Sequence, residues 1–454
     1  MKKMSEPLGT DGVKKKMKKL ILCIVAAFAA VTLRAEAAET PEGEVALFTV
    51  NNLWMMIAGM LVFVMHIGFG TLESGLVRAK NCTNVLFKNA LTPPIGILMF
   101  ALCGWSLMYS GNWQAGKFLA FDGFGLNVPS DPGIGYKDGA FTFWTDFFFQ
   151  GMFAATCATI VSGAVAGRVK VNAYLLFTVF YAGIVYPVIG SWGWGGGWLA
   201  ELGFHDFAGS TFVHAVGGWG ALAGVLLLGP RIGKYVGGRS CPVMGHNMPL
   251  AFIGVFLLWF GWFGFNGGSV FSADPVMVSY VLVTTTLAAS AGVIAATLTS
   301  MFSSSTRRAD FTMMLNGCLA GLVGITAGAD CVSPLSSVVI GAICGALVVF
   351  SVMMFDRLRL DDPVGALSVH LVCGLFGTLA AGIFALPDSG CTFTAQLIGA
   401  AACSAAAFPS ALAIFYVLKI TSGIRVERDE ELRGLDVSEH GMEAYSGFQI
   451  FANM

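Results

Sequence analysis

The sequence predicts an all-α integral membrane protein: eleven transmembrane helices, spans one to five repeated in inverted topology by spans six to ten, the N-terminus outside and the C-terminus inside. Three observations carry this prediction. Of 454 residues, 56% are apolar and only 12% charged, about half the charge of an average chain. The apolar residues gather in eleven stretches, each long enough as a helix to cross roughly 30 Å of bilayer hydrocarbon. Finally, the pattern that begins at Asp206 begins again at Asp362, five spans later and therefore in a helix running the other way.

Residues 1–37 read as a signal peptide, with Met17 as an alternative start. Lys18 and Lys19 precede an apolar run, 20–33, and Ala35, Glu36 and Ala37 form a small-x-small cleavage site. Cleavage there starts the mature chain outside. An eleven-span domain then covers 38–420, with spans at 46–70, 84–109, 141–166, 171–191, 208–229, 248–268, 275–302, 309–328, 334–354, 364–385 and 393–418. The remaining 421–454 form a charged cytoplasmic tail, too short for an independent domain. An odd span count leaves the two ends on opposite sides, and the basic residues agree. Arg78, Lys80, Arg168, Lys170, Arg231, Lys234, Arg239, Arg307, Arg308, Arg357, Arg359 and the tail's Lys419, Arg425, Arg428 and Arg433 all fall on the predicted cytoplasmic side; the outer loops hold Lys117 and Lys137. That one-sidedness is what the positive-inside rule demands. The formal net charge of −1 hides it and says nothing about partners.

Within the repeat, Asp206 and Asp362 each open an apolar run, and His214 and His370 follow eight residues later. At about 1.5 Å of rise per residue each histidine lies about 12 Å below its aspartate, near mid-depth. Folds of this kind place their substrate site where the halves meet, so the two imidazoles are expected to approach from opposite faces. A lone buried histidine is as well explained by a neighbouring carbonyl; a symmetric pair favours function. For the aspartates, helix N-capping is the preferred reading, and Pro363 suits a first helical position. Asp206 has a second role open to it, biasing the outer field towards a cation. A weaker echo links Gly68-Phe69 with Gly264-Phe265. His66 has no repeat partner and stays open; His205, His246 and His440 read as loop residues.

Trp192, Trp194 and Trp198 stand at the outer end of span four, where at least two read as membrane-interface residues. Phe149 with Phe153, and Phe265 with Ser269, are four residues apart and share helix faces, although packing or lipid contact also explains phenylalanine there. Gly163 with Gly167 and Gly341 with Gly345 suit close helix approach. The cysteines mostly lie in apolar runs as small hydrophobes, with no CxxC metal pattern. Cys331 and Cys391 fall in outer loops, where a disulfide is conceivable and two free thiols are preferred. The central histidines lack a third ligand at metal spacing, so no metal or cofactor is expected. The outer loop 111–139 carries no legible chemistry.

Several motifs together resemble those of the ammonium transporter family, the Amt/Mep/Rh group, in its Amt branch. They are Gly75-Leu-Val-Arg78-Ala-Lys80-Asn81, Phe149-Gln-Gly-Met-Phe153, Trp194-Gly-Gly-Gly, Asp206-Phe-Ala-Gly, Gly261-Trp-Phe-Gly-Phe265-Asn-Gly-Gly-Ser269, Asp361-Asp362-Pro363, and the tail's Gly434-Leu-Asp436-Val-Ser-Glu439-His440-Gly441. The resemblance implies an inner-membrane homotrimer with a pore through each subunit. It implies an ammonium recruitment site of Trp194, Phe153 and Ser269 supported by Asp206, a gate of Phe153 and Phe265 backed by Phe149, and a pore of His214 and His370. It further implies coupling through Asp362 and Gly434, a tail covering the cytoplasmic face, and a PII-type signalling protein docking there. Methylammonium is the expected substrate analogue; lipid is the other partner, and nucleic acid is not one. The chain departs from some members at Leu72-Glu73, where an aromatic is replaced, and Glu73 is expected to reach the cytoplasmic interface and pair with Arg78.

An intact ammonium ion in an apolar pore carries a Born cost of tens of kcal/mol, against about 2 kcal/mol from a cation–π contact. The sequence therefore points to an ion recruited outside, deprotonated, and conducted as ammonia past the histidines. The alternatives are a Rh-like neutral gas channel, an ammonium sensor acting through a separate partner, and, more remotely, a membrane enzyme, disfavoured because no nucleophile or metal set accompanies the two histidines.

Overall fold

A computed structural model describes residues 42–304 and 306–445, and there each predicted apolar stretch contains a helix. The predicted signal peptide lies outside the described residues. Contacts divide the chain into two units, Met1–Phe48 and Thr49–Met454; of the first, residues 42–48 are helical, and the second holds the rest of that helix and every later element.

Among the described residues, ten helices are long and apolar enough to cross a membrane: α1 (Glu42–Leu76), α2 (Ala79–Tyr109), α3 (Phe143–Ala164), α4 (Val171–Ser191), α5 (Ser210–Leu228), α6 (Met248–Gly268), α7 (Pro275–Ser303), α9 (Pro334–Arg357), α10 (Leu367–Phe384) and α11 (Phe393–Thr421). The predicted eighth span is different. Its helix α8, Phe311–Ile325, is apolar but only 15 residues long, about 22 Å of rise. Beyond Ile325 the chain descends through tight turns, Thr326 donating to the Val323 carbonyl and Gly328 to that of Ile325. Such backbone is tolerated at depth only where protein satisfies it. Here the Thr326 and Ala327 carbonyls accept from the N–H groups of Ala208 and Phe207. Two short tail helices follow, α12 (Arg428–Arg433) and α13 (Leu435–His440).

Small residues set the packing. Gly341 and Gly345 lie so close to α7 that added methyls would meet the Ala288 and Gly292 carbonyl oxygens at 2.1 and 2.3 Å, and Gly321 of α8 meets Ala288 as tightly. Three helices thus share one seam without needing an apolar driving force. Gly163 packs likewise against Val364, whereas Gly167 lies in the turn beyond α3 and is no part of a helix-packing pair. Large apolar side chains such as Phe63, Leu98, Phe260, Ile294 and Phe350 are exposed on the helices, as a lipid-facing surface requires. This is a multi-pass membrane protein.

Candidate functional site

The repeat is visible in the backbone. Asp206 accepts from the N–H groups of Gly209 at 3.1 Å, Thr211 at 2.9 Å and Phe212 at 2.8 Å; Asp362 accepts from Val364 at 3.3 Å, Gly365 at 3.1 Å and Leu367 at 2.7 Å. Both carboxylates therefore cap, each answering N–H groups that a helix start leaves without intrahelical partners. Gly209 and Gly365 stand at φ 108° and 84°, left-handed values that favour glycine, and each leads into a π-helical turn, Ser210–Ala215 and Leu367–Val372. The histidines sit in these two turns. The halves then cross at the matching glycines: a methyl on Gly218 would strike the Leu371 backbone at 2.7 Å, and one on Gly374 the Ser210 carbonyl at 2.6 Å.

That crossing brings His214 and His370 together, Nδ1 to Nδ1 at 3.3 Å, with ring centroids 5.2 Å apart and planes 25° from parallel. Both are buried. Further rings continue the line in each direction. His214 lies 5.4 Å from Phe265 and 5.0 Å from Trp262, both stacked. Phe265 stacks on Phe153 at 4.1 Å, and Phe153 meets Trp194 edge-on at 6.0 Å. On the other side His370 meets Phe69 at 6.1 Å. The result is one column of rings: Trp194, Phe153, Phe265, His214, His370, Phe69. The echo between Phe69 and Phe265 acquires a meaning, because each flanks the histidine contributed by the other half.

Around the Trp194 end, the indole Nε1 donates to the Asp206 carbonyl at 2.8 Å, and Ser269 Oγ donates to the Phe265 carbonyl at 2.8 Å. Phe149 stands behind Phe153, 4.8 Å from it, against Gly268 and Phe271. Trp192 and Trp198 turn away and pack on Phe118 of the long loop. His66 also lies off the column, its Nδ1 3.4 Å from Thr159 Oγ1.

Below His370 a cavity of about 20 Å³ is lined by Phe69, Leu72, Glu73, Asn316, Leu319 and Val369, among others, room for about one water-sized molecule. Glu73 corrects an expectation. It is buried, and its Oε2 accepts from Asn89 Nδ2 and Ser162 Oγ, both at 2.8 Å; it makes no ion pair with Arg78. The cause is that α1 stays helical to Leu76, so Glu73 remains on the packed face. Lys88, fully buried nearby, donates to the Ser162 carbonyl at 3.0 Å. Glu73, Lys88, Phe69 and Trp262 were missed as site residues. Lys88 carried a signal, being a charge inside the predicted span 84–109, where function is the default hypothesis.

At the same end Arg231 grips Asp361 through Nε and Nη2, both at 2.8 Å, and Arg168 donates to the Asp361 carbonyl at 2.7 Å. Burial pushes the Asp361 carboxyl up, but the Arg231 hydrogen bonds and the charges of Arg231 and Arg168 outweigh it and hold it at about 2. The tail docks on this surface. Asp436 accepts from the Asn84 N–H at 2.8 Å, Glu439 from that of Val171 at 3.1 Å and Asn81 Oδ1 from that of Leu435 at 3.0 Å. Gly434, at φ 116°, leaves no room for a methyl, which would meet the Lys80 carbonyl at 2.8 Å.

Comparison with known proteins fits this architecture. The model of the Ammonium Transporter Family matches residues 53–445. Ammonium transporter Amt2 of Archaeoglobus fulgidus is 40% identical over 463 residues, spanning 94% of this chain and 94% of its own; Amt2 of Haloferax mediterranei is 38% identical over 440, spanning 92% and 93%. Among solved structures, one named Sensor Amt Protein is similar with a TM-score of 0.81 at 36% identity, over 87% of this chain and 100% of that one. Mep2 of Candida albicans gives 0.76 at 29% identity, over 84% and 87%. The chain belongs to the ammonium transporter family.

Proposed function

We propose that this ammonium transporter recruits the cation at the Asp206 end of the ring column, releases its proton there to the outer water or to a separate relay, and passes ammonia between His214 and His370. The observation that carries the reading is the column itself, with two buried imidazoles in contact beneath stacked aromatic rings. Trp194, Phe153 and Ser269 form the recruitment site, with Asp206 setting its backbone. An ammonium ion gains about 2 kcal/mol from a desolvated ring face, enough to select it but far less than the cost of carrying its charge past the 4.1 Å Phe153–Phe265 stack. Amines titrate near 8 to 10, and desolvation lowers that by about 3 to 5 units, so the proton is lost near neutral pH.

The histidine pair suits a neutral passenger. A hydrogen bond between two Nδ1 atoms requires one ring to donate and the other to accept. One Nε2 is then left as an acceptor and the other as a donor. Ammonia, with three donors and a lone pair, can answer both in passing, and the small cavity beside Glu73 receives it. The one-sided basic residues support a reading with the Asp206 end outside and the docked tail in the cytoplasm, in a homotrimer of the inner membrane, where the tail surface suits a PII-type partner. Ammonium-evoked current recorded alongside methylammonium uptake tests the pore. The double variant His214→Ala/His370→Ala is expected to lose selectivity for ammonium over other monovalent cations and to change rate; an unchanged rate and selectivity removes the histidines from the path.

Similarity to the structure named Sensor Amt Protein supports a second reading, ammonium sensing relayed by the tail to a separate partner. Uptake at or below the level of an empty membrane, together with ammonium-dependent protection of the tail in hydrogen exchange, would favour it.

A further inference from the structure

Away from the ring column, one cluster of soft donors has no role in the reading above. Cys331 closes the turns after α8, Cys391 precedes α11, and His205 lies in the loop before α5. The two Sγ atoms are 3.8 Å apart, and with a nitrogen of His205 the three ligand atoms lie within 4.8 Å of one another. Two thiolates held by a tetrahedral zinc ion at about 2.3 Å each stand about 3.8 Å apart, whereas a disulfide draws them to about 2.05 Å. The spacing here is too long for a disulfide and matches both a thiol–thiol hydrogen bond and a shared ion, so the third donor and its support decide.

The surroundings have the features of a built site. Asp330 Oδ1 lies 3.0 Å from His205 Nε2, the carboxylate partner that usually accompanies a metal-bound imidazole. Gln396, fully buried, accepts from the His205 N–H at 2.8 Å and donates to the His205 carbonyl at 2.6 Å. The Cys331 carbonyl accepts from Leu386 N–H at 2.8 Å, and Cys391 N–H donates to Ser389 Oγ at 3.3 Å, so all three ligands sit on fixed backbone. Cys331 is buried while His205 and Cys391 stay partly exposed, which leaves an entry path.

We infer that His205, Cys331 and Cys391, supported by Asp330, bind one thiophilic divalent cation of the zinc class. His205 directly precedes Asp206, which caps the turn holding His214 and whose carbonyl receives Trp194. A bound ion therefore pins the start of that turn, and transport becomes sensitive to the metal. The inference rests on donor geometry and holds whether or not the ring column conducts ammonia.

The test is a titration of the reduced, purified full chain with Co²⁺ alone. One equivalent is expected, with a thiolate-to-cobalt charge-transfer band and the intense visible bands of a tetrahedral site, both erased by Zn²⁺. In Cys331→Ser/Cys391→Ser the bands vanish and affinity falls by about 100-fold, the upper scale on which even supporting groups act at metal sites. Absence of the charge-transfer band in the unaltered protein overturns the inference without any variant. So does a band that survives in the double variant, or recovery of Cys331 and Cys391 as a disulfide from protein isolated with Zn²⁺ present.

Discussion

The segments that begin at Asp206 and Asp362 share a backbone and differ in their company. Each has a capping carboxylate, a left-handed glycine, a π-helical turn and a histidine. Above His214 stand Phe265 and Trp262, with Phe153 stacked on Phe265. Beside His370 lie Phe69 and a small cavity that reaches Glu73 and Asn316. Asp206 sits among aromatic rings; Asp362 adjoins Asp361 and two buried arginines. The repeated residues fix how the imidazoles meet. The unrepeated ones make one side of the pair aromatic and the other more polar, so that on the proposed function the symmetric part builds the path and the asymmetric part gives it two different ends.

The largest difference to exploit is charge at the Asp362 end. Arg231 and Asp361 are 4% and 0% exposed in their side chains, and removing one partner of such a buried pair costs about 3–5 kcal/mol. Arg231→Met should lower the thermal midpoint strongly in detergent. The exposed pair Lys117–Glu201 at the Asp206 end should change stability by less than about 1 kcal/mol when Lys117 becomes Met; equal losses would erase the contrast. The Asp361 carboxyl, lowered from 3.8 to about 2, contributes about 2 kcal/mol by linkage. Because its folded value lies below the unfolded one, that stability is complete above about pH 4 and is lost as pH falls through about 2. In Arg231→Met the carboxyl is no longer held down, so the stability gap between the variant and the unaltered protein should narrow as pH falls from about 4 to about 2.

Next come the capping aspartates. Asp206→Ala and Asp362→Ala each strand N–H groups inside the protein, and losing a cap costs up to about 2 kcal/mol. We expect the two losses of stability to match within about 0.5 kcal/mol, since the caps match. Function should not match: Asp206→Ala also disturbs the carbonyl that holds Trp194 and should weaken apparent ammonium affinity, while Asp362→Ala leaves it unchanged. Thermal midpoints and the concentration dependence of uptake separate the two effects.

Such contrasts also mark how far the sequence is legible. Apolar length and the Asp–His repeat depend only on local composition and spacing, and both survive into the structure. The short α8 does not announce itself, because Thr326, Ala327 and Gly328 at the end of the predicted span are small and uncharged, and hydropathy cannot tell a helix from buried turns. Helix spacing put Phe149 with Phe153 and Phe265 with Ser269 on shared faces, yet which ring stacks on which is decided by helices far apart in sequence. Glu73 was misplaced because α1 runs on past the predicted boundary. His205, Cys331 and Cys391 lie in three separate loops, so no spacing rule unites them.

A smaller effect belongs to the tail, which docks at the Asp362 end. Gly434→Ala places a side chain at φ 116° against the Lys80 backbone, a strain of about 1–3 kcal/mol. The tail can escape that strain by undocking, so global stability should hardly move while hydrogen exchange at Leu435, whose N–H is held by Asn81, rises by about tenfold or more.

The smallest expected change lies at the aromatic end and isolates one hydrogen bond. Trp194→Phe keeps a ring beside Phe153 and Phe212 but deletes the Nε1 donor to the Asp206 carbonyl. A neutral hydrogen bond contributes about 1 kcal/mol, and phenylalanine is a weaker partner for a cation than tryptophan. Apparent affinity for ammonium should therefore fall by about fivefold, with the saturated rate unchanged, because the histidine pair and the Phe153–Phe265 stack are untouched. A drop in saturated rate with affinity preserved would move Trp194 from recruitment to conduction, and the aromatic side of the column would no longer be divided into a site that selects and a path that conducts.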